Sequence, residues 1–303
     1  MSWIKKGLIF CPNKNFDWMH SHASLPTADH VKNNVYRIYF STRNKENRSQ
    51  VGFLETDFTK PKKILKLSSK PILRLGKTGS FDEDGVMCSS LVNHKSKKFM
   101  YYIGWNRSVS VPFRWAIGLA ISEDNGETFT KFSDGPILDR NYIDPYFVSS
   151  PTVIYENGKW KMWYISSSCG WQKINNKKIA PYNIRYADSK NGIDWNRKGI
   201  ISIDFKHKNE FAIGRASILK ENGIYKMWYS YSTQYYRIGY AVSKDGIKWK
   251  RMDDKVGINV SKSGWDSQSI EHCHVFKHKS TKLMIYTGND FGKTGFGHAE
   301  YSG

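Results

Sequence analysis

Acidic side chains recur in this sequence at one fixed distance from an aromatic hairpin. Grouped carboxylates of that kind suit acid–base chemistry: one, protonated, hands a proton to a departing group while an ionised neighbour faces it. The hairpin is clearest in IDPYFVSSPTVIYENGKWKMWYIS, where Asn157-Gly158 suits a tight type I′ turn between two strands. Taking Met162 as a marker, Met100, Met227 and Met284 occupy the same place in KKFMYYIG, IYKMWYSY and TKLMIYTG, and Ile38 does so in VYRIYFST. Successive markers lie 62, 62, 65 and 57 residues apart, so the unit occurs five times. Eighteen residues before each marker stand His20, Asp82, Asp144, Asn209 (with Glu210 next to it) and Asp266. Only 27 of 303 residues are acidic, which makes three hits and a near miss in five a poor match to chance.

The elements that must carry these residues are strands. Each unit continues from the hairpin into a third strand, as in YNIRYADS or YRIGYAVS, and then through a polar Gly turn into a fourth. Strand-rich units repeated at about sixty residues point to a propeller. The expected fold is all-β: a five-bladed β-propeller with four-stranded antiparallel blades, forming a single domain over residues 1–303. The fifth unit supplies only three strands of its own. The N-terminal stretch WIKKGLIF is expected to be its fourth, closing the ring and removing an exposed edge.

Composition narrows the class. Eleven Trp, 18 Tyr and 16 Phe suit packing between blades. No apolar run reaches the eighteen residues that suggest a membrane span, and MSWIKKGLIF has too short an apolar run for a signal peptide. Cys11, Cys88, Cys169 and Cys273 make no CxxC pair, which fits reduced thiols and a cytoplasmic location. Lys and Arg total 47 against 27 acids, a net charge of +20. Such a surface attracts an anionic partner. No nucleic-acid-binding motif accompanies it, so a carbohydrate or sugar phosphate is the expected partner.

On these residues the chain resembles the five-bladed propeller glycosidases of glycoside hydrolase families 43 and 32. Family 32 carries Trp-Met-Asn-Asp-Pro-Asn-Gly at its first inner strand, and this chain has Trp18-Met19-His20-Ser21-His22. A serine therefore stands where the family has its nucleophilic Asp, and Asp17 is the carboxylate left for that role. Asp144-Pro145 looks like the Arg-Asp-Pro of family 32, whose Asp stabilises the transition state. Glu210 stands where these families keep their general acid. The resemblance thus implies Asp17, Asp144 and Glu210 as catalytic residues. His20, His22, Asp82, Asp84, Arg215, Asp266, Glu271, His272 and His274 are the expected substrate contacts. Arg215 could grip a carboxylate or phosphate bidentately. Alternation puts His272 and His274 on one face and Glu271 on the other unless a bulge intervenes. Four imidazoles, His20, His22, His272 and His274, would then meet near the axis, bonding to sugar rather than to a metal. No cofactor is expected.

The function expected is that of a carbohydrate-active enzyme, a glycoside hydrolase using paired carboxylates at a central funnel. The alternatives are a glycosyltransferase or phosphorylase acting on a nucleotide- or phosphate-bearing sugar, and a non-catalytic glycan-binding propeller. A further motif, Ser122-Glu123-Asp124-Asn125-Gly126-Glu127-Thr128-Phe129, fits the sialidase Asp-box, with looser forms from Ser189 and Ser243. It is expected to act as a turn device rather than in catalysis.

Overall fold

Alternating aromatic and β-branched residues with Gly-rich turns favour strands over helices, and the computed structural model is all-β apart from two single helical turns. It describes residues 2–14, 16–167, 169–174 and 176–302. The chain opens with β1 (Trp3–Phe10), followed by β2 (Ser21–Lys32), β3 (Val35–Arg43), β4 (Ser49–Asp57) and β5 (Ile64–Leu67). The second unit of sequence forms β6 (Gly85–His94), β7 (Lys97–Arg107), β8 (Phe113–Ser122) and β9 (Thr130–Lys131). The third forms β10 (Val148–Glu156) and β11 (Lys159–Ser166), a small hairpin of β12 (Gln172–Ile174) and β13 (Lys177–Ile179), then β14 (Asn183–Ser189) and β15 (Asn196–Ile203). The fourth has β16 (Ala212–Glu221), β17 (Ile224–Ser232), β18 (Tyr236–Ser243) and β19 (Lys250–Arg251). The fifth has β20 (Glu271–His278), β21 (Thr281–Thr287), the one-turn α1 (Asn289–Gly292) and β22 (Phe296–Tyr301).

Within each unit the strands pair antiparallel in sequence order, as in β10-β11-β14-β15 and β16-β17-β18-β19. The last sheet runs β1-β22-β21-β20, so the N-terminal strand does complete it, with Trp3 opposite Tyr301 and Phe10 opposite Phe296. The first turn residue of every long hairpin is left-handed: Asn33, Lys95, Asn157, Asn222 and Lys279 have φ of 49–54°. Each lies five residues before its marker. At the third hairpin Gly158 follows with φ 76°, the two positive angles a type I′ turn needs.

The chain divides into two compact units, one of residues 1–72 with 216–303 and the other of residues 73–215. In the first, Ile38, Phe40, Leu54, Phe276, Ile285 and Phe296 pack one core. A second core there gathers Trp3, Trp228, Tyr240, Val275 and Met284. In the other, Tyr101, Leu119, Val153, Trp160, Met162 and Tyr164 pack together. The four marker methionines and Ile38 are all fully buried, which explains why the repeat holds them apolar.

The Asp-box is a turn device, as expected. Asp124 accepts from the Thr128 backbone N–H (3.0 Å) and hydroxyl (2.6 Å), and the Gly126 N–H donates to Ser122 Oγ (2.8 Å). Burial works against the Asp124 carboxylate, but these bonds still hold it down at about 2. The looser boxes repeat the arrangement around Asn191 and Asp245. All four cysteines carry reduced thiols. No helix among the described residues is long and apolar enough to cross a membrane.

Candidate functional site

The carboxylates that share the eighteen-residue register share one environment, and it is closed. Asp82, Asp144 and Asp266 are 1%, 0% and 2% exposed. Each accepts a bond from the tyrosine twenty residues on: Tyr102 to Asp82 (2.9 Å), Tyr164 to Asp144 (2.9 Å) and Tyr286 to Asp266 (2.8 Å). Each also meets a cation from the outermost strand of its sheet. Lys131 on β9 lies 2.6 Å from Asp82, Arg197 on β15 3.0 Å from Asp144 and Lys5 on β1 2.7 Å from Asp266. Arg185 on β14 adds a third donor to Asp144 at 2.9 Å. The fourth sheet builds the same clamp with a different acid: Asp253 accepts from Tyr229 and, at 3.0 Å, from Arg251 on β19. The first unit has Phe40 where the others have tyrosine, and His20 where the second, third and fifth have the acid.

These contacts tie the loop entering an inner strand to the second strand and to the edge strand. Asp144 has both oxygens bonded to protein, so its carboxylate is committed to holding strands together. Asp82 and Asp266, expected to contact substrate, are held by the same kinds of partner as Asp144, the expected catalytic residue. Asp84 is also committed, accepting from the Arg107 backbone N–H at 2.7 Å with the guanidinium at 3.1 Å. Arg215 is buried with φ 35°, its Nη2 directed at the Ser89 carbonyl (3.3 Å). Glu210 lies just before β16, buried, and accepts the Lys206 N–H at 2.7 Å. Asp17 sits on an exposed turn bridged by Phe16 and Met19.

Glu271 is different. It opens β20, 1% exposed, and its only hydrogen bond among the described residues is at Oε1, from the Phe291 N–H at 3.2 Å. Oε2 has none and lies 3.6 Å from His272 Nε2, beyond hydrogen-bond length. Burial pushes this carboxyl up to about 8, the Phe291 N–H opposes the shift, and the charge of Asp290 adds to it. Glu271 therefore holds a proton at neutral pH. A bulge does intervene between Glu271 and His274, with His272 at φ 50°. It separates the two histidines. His274 Nδ1 accepts the Ala28 N–H (2.8 Å), while the His272 ring lies 6.3 Å from Tyr236. No group of three or more His, Cys, Asp or Glu among the described residues could hold a metal.

The turn after β21 completes this corner. Asp290 and Phe291 both take left-handed angles, and Phe291 is 50% exposed with its ring 5.8 Å from that of Tyr236. Gly292 has φ +89°, and a Cβ there would lie 2.5 Å from the Ala23 carbonyl oxygen, so the turn sits directly against β2. At the start of β2, His20 donates its backbone N–H to the Arg43 carbonyl (2.9 Å), and His22 Nδ1 lies 2.9 Å from Ser21 Oγ. Burial, then the charges of Arg43 and Lys293, push His22 down to about 4, so it is neutral at pH 7. Asp290, Phe291, Tyr236, Arg43 and Lys293 were not among the expected residues. The non-repeating stretch NDFGKT between two regular strands was the available signal.

No family model matches the sequence. Among solved structures, a glycosyl hydrolase from Bacteroides ovatus superposes with a TM-score of 0.74 at 15% identity, covering 100% of this chain and 93% of that one. A thermostable family-43 glycoside hydrolase gives 0.68 at 17%, covering 95% and 90%. The Bombyx mori GH32 beta-fructofuranosidase BmSUC1 gives 0.60 at 14%, covering 93% and 61%. The resemblance to families 43 and 32 thus holds as a likeness of fold. The uncharacterized proteins Rv1502 and MT1551 of Mycobacterium tuberculosis (strains ATCC 25618 / H37Rv and CDC 1551 / Oshkosh) are each 39% identical over 299 residues, 99% of this chain and 99% of theirs. The chain belongs to the family of these two mycobacterial proteins.

Proposed function

We propose that this protein is a glycoside hydrolase built as a five-bladed propeller whose ring is closed by β1, and that Glu271 rather than Glu210 is its proton donor. The observation that carries the reading is the Glu271 carboxyl: buried, with one oxygen left without a hydrogen bond among the described residues and its pKa pushed up by that burial. Glycosidic cleavage needs such an acid for the departing oxygen and an ionised carboxylate facing it. Asp290, exposed on the same turn whose next N–H holds Glu271, is the candidate for the second role. Phe291 and Tyr236 offer ring faces for a sugar beside the acid. Asp82, Asp144 and Asp266 hold strands together and take no part in the chemistry. The reduced thiols support a cytoplasmic setting.

Replacing Glu271 by Gln keeps the shape and removes the transferable proton. With a glycoside of unactivated leaving group, kcat should fall roughly 10²–10⁴-fold, while a dinitrophenyl glycoside, which needs little protonation, should lose far less. In the unaltered enzyme kcat/KM should decline above about pH 8 as Glu271 ionises. Full activity in Glu271→Gln with loss in Glu210→Gln would return the acid to its expected place. Sugar binding with no turnover in the unaltered protein would leave a glycan-binding module.

A further inference from the structure

The corner beside Glu271 carries an uncompensated cluster of nitrogen groups. Arg43 is the last residue of β3 and stands opposite Ser21 in the β2–β3 register, one residue before His22. Its guanidinium is half-buried, and burial lowers its pKa from the usual range. Among the described residues no carboxylate lies within ion-pair distance of it, whereas Arg37, six residues earlier on the same strand, is paired with Glu55 at 2.6 Å. Lys293 follows Gly292, which abuts Ala23 of β2. Its own backbone is fixed, the N–H donating to the Asp290 carbonyl (3.1 Å) and the carbonyl facing Cys11 Sγ (3.6 Å). Its ammonium also lacks a carboxylate partner among the described residues. Both cations are close enough to His22 to act on its protonation.

Two cations that both act on His22, with no carboxylate paired to either among the described residues, make a local positive field that attracts an anion. We infer that Arg43, Lys293 and the His22 imidazole form a subsite for an anionic group, carboxylate or phosphate, carried by the substrate sugar. The inference rests on the glycosidase reading for its location, since the turn that brings Lys293 to β2 also supplies the Phe291 N–H to Glu271. An anionic sugar seated on Arg43 and Lys293 would lie beside the proton donor. The guanidinium fork suits a planar carboxylate or a phosphate equally, and the lysine adds a point charge.

The test measures binding apart from turnover. At constant ionic strength, D-glucuronate, D-galacturonate, glucose 6-phosphate, inorganic phosphate and glucose are titrated into the intact protein by calorimetry. The same titrations are run on Arg43→Gln and Lys293→Gln. Binding of a uronate or of a phosphate by the unaltered protein, weakened about tenfold or more in each variant, is the expected result, since a charge-assisted bond to an ionised group is lost. Uronates alone, or phosphates alone, would name the source of the anion. Lys293 is exposed, so its variant should fold even if Arg43→Gln does not. No anion binding, or equal binding in the unaltered protein and both variants, overturns the subsite. Turnover of an anionic glycoside unaffected by either change would also overturn it while leaving the glycosidase reading intact. Anion binding lost in the variants, with no glycoside cleaved, would keep the subsite and overturn that reading.

Discussion

If Asp144 is a clamp and not a catalyst, its removal should be felt as lost stability. Asp144→Ala leaves Arg185 and Arg197, with side chains 6% and 11% exposed, facing each other across the space of their lost counter-ion. Breaking a buried pair from one side costs about 3–5 kcal/mol, because the abandoned charge is worth more than the pair was. Here two charges are abandoned. Each keeps one backbone acceptor, Ile143 O for Arg185 (3.0 Å) and Asp139 O for Arg197 (2.7 Å), which moderates the loss. Tyr164→Phe removes one bond from the same carboxylate but leaves both guanidiniums satisfied, so it should cost about 1.5 kcal/mol, the low end for a bond to a charged group. Asp144→Asn, which keeps the volume but not the charge, should fall between. Urea unfolding followed by tryptophan fluorescence and far-UV circular dichroism reads the order directly. A whole domain is typically stable by about 5–15 kcal/mol, so the alanine variant should be visibly weakened and still foldable. Activity per folded molecule should survive in all three. An alanine variant within about 1 kcal/mol of the unaltered protein, or an asparagine variant stably folded but inactive, would refute the clamp.

The remaining predictions follow from neighbouring contacts. Deleting residues 3–10 removes Trp3 from its core and Lys5 from Asp266 and bares the edge of β22, so light scattering should show aggregation under conditions where the full chain stays monodisperse. Asp124→Ala removes three short bonds that close the β8–β9 turn and should cost about 1–2 kcal/mol in the same urea assay. Glu271 has a folded-state pKa raised from 4.5 to about 8, so its contribution to stability is fully present below pH 4.5 and is lost as pH rises through 8. Glu271→Gln should therefore gain on the unaltered protein between those values, and equal pH dependence of the two would show the carboxyl to be solvated.

Much of the architecture was written in the repeat. The Asn-Gly of one hairpin revealed a turn that the other four reproduce with Asn or Lys in the same left-handed position, and the buried methionine marker fixed the register of every second strand. The lone strand WIKKGLIF was legible because the fifth unit lacked a fourth. The meaning of the acidic register was not. Spacing shows that Asp82, Asp144 and Asp266 are equivalent, but not that a tyrosine and an edge-strand cation close over them. Half of that partnership was nevertheless present in the marker motifs, where Tyr102, Tyr164, Tyr229 and Tyr286 each stand two residues past the methionine. The left-handed turn at Asp290-Phe291 was marked only by its departure from the repeat, because it depends on how Gly292 packs against Ala23 rather than on local propensity.

That contrast bears on where chemistry sits in a repeated fold. A residue repeated across copies is needed for what those copies share, which is to hold their strands in register, and the clamp acid of four of the five units meets this description. A site occurs once, so its residues should be those by which one copy departs from the rest. The first unit departs by exchanging the acid for His20 and the tyrosine for Phe40, and there His22 and Arg43 lie close together without a carboxylate partner among the described residues. The fifth keeps its Asp266–Tyr286–Lys5 clamp and adds Glu271, a second acid five residues on that lacks the clamp's partners. The turn of residues 289–293 holds the one α-helical turn among the described residues, and it joins these two departures by giving one N–H to Glu271 and bringing Lys293 to β2. Shortening that turn to a two-residue hairpin should then abolish anion binding and turnover together while leaving the clamp and the urea midpoint nearly unchanged. Loss of only one of the two activities would mean that the acid and the cations serve separate sites.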